Sequence, residues 1–300
     1  MHNRSPKGKE VRLSSKRQSL TFCAAAIALV AMIPAACKRP APAPSAPATI
    51  EFLTDSFDLD GIGWMSEQTD ESGVDLDVSG LCAIDKDVAF LFGGLHVPAG
   101  TIRSFLLRTA DGGRTWHEVM PAVLGSEVTH VAFADDLHGW ALALWTVEGP
   151  GTMLLSGSMD GGRTWRQLTE IQRSEGHAVP DGWPLTMTFV DASKGEIAIA
   201  YDAEESASVD DRSLVVETLV SDDGGSSWNM VRRETRAAPP EEAPPAKECG
   251  FNTSDWVLEV PSGDEQSITV RRFDRQRNRW LSMTLPRHFQ YERGRVVSSR

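Results

Sequence analysis

Short apolar or alternating runs, separated by turn-forming residues, recur along the chain, and one stretch shows the pattern plainly. Val128 to Phe133 alternates, Asp135 to Gly139 has the composition of a turn, and Trp140 to Trp145 is apolar. Two more short runs follow, Met153 to Ser156 and Thr164 to Leu168. Runs of this length between Gly-rich and Asp-rich segments are typical of strands. We therefore predict four short antiparallel strands in this unit.

The unit is repeated, because the motif S/T-x-D-G-G-x-[ST]-W occurs at Thr109, Ser158 and Ser221. We call this motif the box. A degenerate fourth copy runs from Asp274 to Trp280, and the intervals between the Asp residues are 49, 63 and 51. Periods near 50 in strand-rich units indicate a β-propeller. The predicted fold is all-β, a small propeller of about four or five four-stranded antiparallel blades.

A second landmark precedes the boxes. Phe57 to Trp64 and Phe133 to Trp140 share F-x-x-D-x-x-G-W, and Ile84 lies 27 residues before Asp111, as Phe133 does before Asp160. In the third unit, two insertions of seven residues account for the longer interval of 63 between Asp160 and Asp223. A closing strand shared between residues 57–68 and 288–297 would join the ends of the chain.

Each box has a mechanical interpretation as the hairpin between the third and fourth strands of a blade. Asp and Ser or Thr side chains can bond the backbone of a tight turn, Gly supplies positive φ, and Trp packs between blades. The predicted structural positions are Thr109, Asp111, Gly113, Trp116, Ser158, Asp160, Gly162, Trp165, Ser221, Asp223, Gly225 and Trp228.

These motifs resemble the Asp-box (BNR) repeats of the sialidase superfamily, and the added F-x-x-D-x-x-G-W strand is similar to the photosystem II assembly-factor-like and sortilin-like propellers. The resemblance covers Phe57 to about Leu285. It implies that the boxes lie on the outer rim, away from the face that binds ligands, and that they are structural positions only.

The amino terminus has the pattern of an export signal. Six basic residues before position 18 precede an almost wholly apolar run from Leu20 to Ala36. The following Cys37 resembles the acylated Cys of bacterial lipoproteins, although Pro34 stands where Leu is usual. Cleavage near residues 41–43 and an uncleaved membrane anchor are the alternatives. The lipoprotein interpretation makes residues 1–36 a signal peptide and residues 37–50 a Pro/Ala-rich tether.

By the sorting rule of that class, Lys38 places the lipid-anchored protein at the outer rather than the inner membrane of the cell envelope. Cys82 and Cys249 are the remaining cysteines of the folded part, and an oxidising compartment could join them in a disulfide. A free buried pair is the alternative.

The net charge of -12 excludes extended contact with nucleic-acid phosphates. The last 30 residues are the exception, with nine Arg against two acids, and could touch an anionic surface or form a solvated strand and turn. Residues 51–300 form the predicted propeller domain, with a mobile Pro-rich loop at 235–248.

Catalysis is not expected. Retaining sialidases need an arginine cluster, a Tyr nucleophile paired with Glu and an acidic Asp, whereas Arg103 is not in the R-I-P motif and only Tyr201 and Tyr291 are available. No nucleotide, zinc or calcium motif occurs, and we expect no cofactor and no metal.

The favoured function is a non-catalytic, membrane-tethered scaffold or assembly module that binds an envelope protein through the loops 173–183 and 203–212. The alternative is a glycan-binding protein or a sialidase-like hydrolase, which would place Trp145 and Trp183 at the central face.

Overall fold

The computed structural model describes residues 45–51, 73–145, 152–171, 183–202, 213–237, 249, 255–260, 267–292 and 295–298. These residues form an all-β structure of antiparallel sheets, with one parallel pair at an outer edge. No helix in these ranges is long and apolar enough to cross a membrane. Cys37, the predicted signal peptide, residues 57–68, the loops 173–182 and 203–212, and residues 238–248 of the Pro-rich loop lie outside them.

The strands are grouped into four sheets that follow the chain. The first contains β2 (Val74–Ala83), β3 (Ala89–Val97), β4 (Gly100–Thr109) and β5 (His117–Glu118). The second contains β6 (Ser126–Phe133), β7 (Gly139–Trp145), β8 (Met153–Ser158) and β9 (Arg166–Ile171). The third contains β10 (Trp183–Phe189), β11 (Gly195–Asp202), β12 (Ser213–Ser221) and β13 (Asn229–Ala237).

The fourth sheet is assembled from both ends of the chain. It contains β14 (Trp256–Glu259), β15 (Ser267–Asp274) and β16 (Arg279–Pro286), and β1 (Ser45–Glu51) pairs in parallel with the outer edge of β16. The end of the predicted tether is therefore part of a sheet. The hairpin of β17 (His288–Glu292) and β18 (Arg295–Ser298) pairs with β2 of the first sheet, so this part of the predicted closing segment joins the fourth unit to the first.

Three apolar clusters lie between successive sheets. One joins the fourth and first sheets, one the first and second, and one the second and third. Each cluster is built from the alternate, inward-facing residues of neighbouring sheets, as in the blades of a propeller. The four sheets agree with the predicted number of blades.

The turn between the first and second strands recurs in the first three sheets, but in the first sheet it lies one residue away from the position that the motif alignment predicted. The N–H of Ala134 donates to the carbonyl of His138 and the N–H of Ile84 to that of Val88, both at 3.0 Å. Ile84 is therefore equivalent to Ala134, and Ala83 rather than Ile84 occupies the position of Phe133. The predicted alignment of Ile84 with Phe133 is therefore wrong by one residue. Phe133 lies opposite Gly139, but in the first sheet two alanines, Ala83 and Ala89, replace this pair, so the sequence lacks the Phe that marks the position.

Candidate functional site

The boxes form hairpins between the third and fourth strands, and the second box shows the geometry. The Ser158 hydroxyl donates to Asp160 Oδ1 at 2.9 Å and accepts the N–H of Gly162 at 2.9 Å. The carboxylate of Asp160 accepts the N–H and the hydroxyl of Thr164 at 2.9 and 2.7 Å. The indole of Trp165 donates to the Gly162 carbonyl at 3.1 Å. The side chains of the box are therefore engaged by the turn itself.

The other two boxes repeat these bonds. The equivalent hydroxyl, carboxylate, glycine and indole belong to Thr109, Asp111, Gly113 and Trp116 in the first box, and to Ser221, Asp223, Gly225 and Trp228 in the third. Both glycines of every box have positive φ, between 71° and 89°.

The hydrogen bonds of the box favour the charged form of its Asp. The Thr164 N–H and hydroxyl, with the Ser158 hydroxyl, lower the pKa of Asp160 to about 2. The Ser227 hydroxyl and N–H lower the pKa of Asp223 in the same way. Burial opposes the effect at Asp111, yet bonds from Thr115 leave its pKa below the usual value. These are the shifts of structural carboxylates, and a general acid at neutral pH would need the opposite shift.

The degenerate fourth turn is not a box in the structure. Asp274 Oδ1 accepts the N–H groups of Gln276 and Arg277, two and three residues ahead, whereas a box Asp bonds groups three and four ahead. No glycine is present, and Asn278 supplies the positive φ of 49° in a shorter turn. The predicted equivalence is therefore wrong, because this turn lacks the two glycines that a box requires.

The basic residues near this turn are mostly paired with acids. The guanidinium of Arg271 lies 2.9 Å from Glu259, that of Arg275 lies 2.8 Å from Asp255, and that of Arg277 lies 3.2 Å from Asp274. These ion pairs favour the interpretation of a solvated strand and turn over an anion-binding surface.

Each box also receives a hydrogen bond from the preceding sheet, at the carbonyl of its first glycine. Arg272 donates to Gly112 at 3.3 Å, Arg108 to Gly161 at 3.0 Å, and the indole of Trp140 to Gly224 at 2.8 Å. Desolvation by burial is the largest effect on Arg108 and lowers its pKa. The boxes therefore link neighbouring sheets, a role that the motif alone did not reveal.

The second glycine and the Trp of a box complete the same interface. A Cβ at Gly162 would lie 2.2 Å from the ring of Phe90 in the preceding sheet. Trp165 packs edge-on against that ring at a centroid distance of 6.1 Å, and Trp116 packs in the same way against Trp256. The predicted packing of the box Trp between blades is thus observed in the first two boxes.

The boxes and the turns between first and second strands lie at one end of the sheets, which we call the box end. The first glycine of each box donates its N–H to such a turn, as Gly161 does to Leu137 at 3.0 Å. Asp85, Asp135 and Asp191 cap these turns by accepting two backbone N–H groups each. Bonds from Ser193 lower the pKa of Asp191, and bonds from His138 lower that of Asp135.

The opposite end, which we call the connection end, carries the links between second and third strands and between successive sheets. Strands β9 and β11 end here, and β10 and β12 begin here. Of the predicted contact loops 173–183 and 203–212, which connect these strands in sequence, only Trp183 is among the described residues. Trp145 ends β7 at this end with 45% of its surface exposed, and the half-buried Trp183 begins β10.

A polar cluster that the sequence analysis missed lies between the first and second sheets towards the connection end. The Ser79 hydroxyl donates to Glu127 Oε1, and Glu127 Oε2 lies 3.9 Å from Nε2 of His96. The other imidazole nitrogen lies 3.1 Å from the Thr101 hydroxyl. A Cβ at Gly94 would lie 2.9 Å from the His96 ring, so the absence of a side chain there makes room for the pair. The His96 and Glu127 side chains are mostly buried, and His96 Nε2 has no hydrogen-bond partner among the described residues.

A second polar group lies inside the third sheet. The Tyr201 hydroxyl donates to Glu217 Oε2 at 3.3 Å, and the Arg233 guanidinium lies 3.8 Å from Glu217 Oε1. Tyr201 and Glu217 are 5% and 2% exposed. The structure thus brings together one Tyr and one Glu, whereas Arg103 is buried in the first sheet and paired with Glu118. Tyr291 belongs to β17, where the structure describes only the backbone.

A disulfide joins the first sheet to the segment that follows the third. The Sγ atoms of Cys82 and Cys249 form a disulfide of 2.05 Å. A cleft of about 150 Å³ lies between the second and third sheets at the box end, beside Trp140, Arg166 and Asp223. Within the described ranges, no three His, Cys, Asp or Glu side chains are placed to hold a metal ion.

Comparison with known proteins concerns the fold alone. No family model and no curated protein matches the chain. A Hadza microbial sialidase is 13% identical with a TM-score of 0.37, over 75% of this chain and 47% of its own. The GH74 xyloglucanase from Xanthomonas campestris is 14% identical with a TM-score of 0.31, over 67% of this chain and 28% of its own. YCF48 from Cyanidioschyzon merolae is 14% identical with a TM-score of 0.29, over 68% of this chain and 65% of its own.

Proposed function

We propose that the chain is a non-catalytic, membrane-tethered β-propeller of the cell envelope that binds a partner protein through its connection end. The observation that carries the proposal is a difference in length between the links at the two ends. At the box end, five residues join the first and second strands, and seven join the third and fourth, in each of the first three sheets. Such constancy is expected of a rigid framework.

At the connection end the lengths vary. Two residues link β3 to β4, seven link β7 to β8, and ten link β11 to β12. The links between sheets grow from seven residues after β5 to eleven after β9 and eighteen after β13. Variable loops on a rigid scaffold are where proteins commonly place their binding residues. The partner is therefore expected to contact this end, with Trp145 and Trp183 as apolar anchors.

A pull-down from native envelope tests the proposal. The bait is the full chain, and the variant replaces residues 203–212 with the two residues Pro-Ala that link β3 to β4. Asp222→Asn, an exposed change at the box end, is the control. We expect a partner that is retained by the control and lost with the shortened link. Equal recovery with all three baits, or recovery of polysaccharide alone, would contradict the proposal.

The tether rests on Cys37. We propose that this Cys is acylated and holds the propeller at a membrane, as its resemblance to the lipoprotein signal implies. Labelling of expressing cells with an alkyne fatty acid should mark the wild-type protein and not Cys37→Ala. Labelling of both proteins, or of neither, would contradict it.

The alternative is a glycan-binding protein or a sialidase-like hydrolase, and the bond between Tyr201 and Glu217 supports it. A Tyr nucleophile activated by a Glu is what such chemistry needs. A panel of fluorogenic sialosides decides between the two. Turnover that disappears in Tyr201→Phe, with the melting temperature unchanged, would establish the hydrolase, whereas no turnover is expected of a scaffold.

A further inference from the structure

Strand β13 differs from β5, β9 and β16, the strands that follow the box-end hairpin in the other three sheets. All nine of its side chains, from Asn229 to Ala237, are exposed. By contrast, β5 has two residues, β9 has six and ends in the buried Ile171, and β16 is covered by β1. In the described part of the third sheet β13 is the last strand, so one row of its backbone groups faces away from β12.

The fourth sheet shows that an outer edge of this fold accepts an added strand. Residues of β1 pair in parallel with β16, from Ala48 opposite Leu281 to Glu51 opposite Thr284. β16 and β13 both follow the hairpin turn at the box end of their sheets. An extended segment laid along β13 would repeat this arrangement.

The sequence of β13 indicates the charge of such a segment. Val231 is the extra residue of a bulge, and from Arg232 to Ala237 the strand then pairs with β12 without interruption. These six residues contain Arg232, Arg233 and Arg236 against one acid, Glu234, in a chain whose net charge is -12. Arg232 lies 4.0 Å from Glu234 and Arg233 lies 3.8 Å from Glu217 of β12, so the charge that selects an added strand rests chiefly on Arg236. Arginine side chains on both faces of the strand would flank an added strand and favour carboxylates at alternate positions.

We propose that β13 is a docking edge for an extended acidic segment of a partner protein, which adds to the third sheet as a fifth strand. The backbone of residues 232–237 supplies the pairing, and Arg236 chiefly supplies the selection for acidic residues. This inference rests on the proposed function, since it names one mode by which the scaffold holds a protein.

The test uses a fluorescent ten-residue peptide of alternating Thr and Glu and the full-length protein in detergent. Binding is followed by fluorescence anisotropy, and amide exchange is measured over residues 229–237. We expect saturable binding with slower exchange in β13. The same peptide N-methylated at every residue keeps its charge but loses its backbone donors, and it should bind at least tenfold more weakly.

A matched pair of variants separates this edge from general attraction. Arg236→Glu in β13 should weaken binding at least tenfold, whereas Arg166→Glu on β9, also an exposed outer-strand change, should leave it within twofold. Equal binding of the two peptides, equal effects of the two variants, or no binding would overturn the docking edge. The pull-down with the shortened 203–212 link reports on the connection end, so failure of the docking edge can be distinguished from failure of the proposed function.

Discussion

The indole Nε1 of Trp140 donates a hydrogen bond to the carbonyl oxygen of Gly224 at 2.8 Å, across the boundary between the second and third sheets. The Trp140 ring is also stacked on Phe189 at a centroid distance of 3.6 Å. One side chain of the second sheet therefore holds both the box and the apolar core of the third. The box end is thus a set of bonded interfaces that orients the sheets.

This relationship predicts the effect of Trp140→Phe. The substitution keeps a ring against Phe189 but removes the donor to Gly224, which should lower the free energy of unfolding by about 1 to 2 kcal/mol. Trp145→Phe, at an exposed position, should change it by less than about 0.5 kcal/mol. Chemical denaturation of both variants gives the comparison, and equal stabilities would contradict the role of the bond.

Gly162→Ala tests the close approach between the first and second sheets. The added Cβ meets Phe90 in addition to the strain of a positive φ, so we expect a loss of about 2 to 4 kcal/mol. Gly161→Ala is the control, because its φ of 72° matches the 71° of Gly162, while its added Cβ would lie 2.9 Å from the Asp136 carbonyl oxygen instead of 2.2 Å from a ring. A loss at Gly162 no larger than the loss at Gly161 would show that the contact with Phe90 adds nothing to the strain.

The low pKa of Asp160 gives a pH dependence with a definite sign. Because the pKa falls from 3.8 to about 2 on folding, the carboxylate stabilises the protein above pH 3.8, and this contribution disappears as the pH falls towards 2. Asp160→Asn should be less stable than the wild type at pH 7, and the difference should shrink between pH 4 and 2. Melting temperatures across this range provide the test, with Asp222→Asn as the control. A constant difference would be the contrary result.

The disulfide predicts a response to reductant. Cys82 and Cys249 are separated by 167 residues, and closure of so long a loop in the unfolded chain stabilises a protein by about 3 to 5 kcal/mol in the entropic model. Dithiothreitol should lower the melting temperature of the wild type to that of the double variant Cys82→Ala/Cys249→Ala. Two free thiols at these positions in unfolded, unreduced protein would contradict the bond.

The repeats predicted the fold well because each box carries its own turn chemistry, which depends on residues within eight positions of one another. The contacts between sheets were harder to predict from the sequence. Arg108 and Arg272 act on boxes of other sheets, and nothing local to either residue announces its acceptor. The register of Ala83 was missed because two alanines replaced the Phe and Gly pair that marked the turn elsewhere. The cluster of Ser79, His96 and Glu127 unites residues from three strands, so no spacing in the sequence could reveal it.

The central claim is that the connection end binds the partner protein and the box end holds the sheets in place. Site-specific photocrosslinking in living cells tests it most directly, with the photoreactive residue p-benzoylphenylalanine placed singly at Trp145, at Trp183, and at the exposed Met159 of the second box. We predict crosslinks to a common partner from Trp145 and Trp183 and none from Met159. Crosslinks from Met159 alone would contradict the account, because the partner would then lie on the end that we assign to structure.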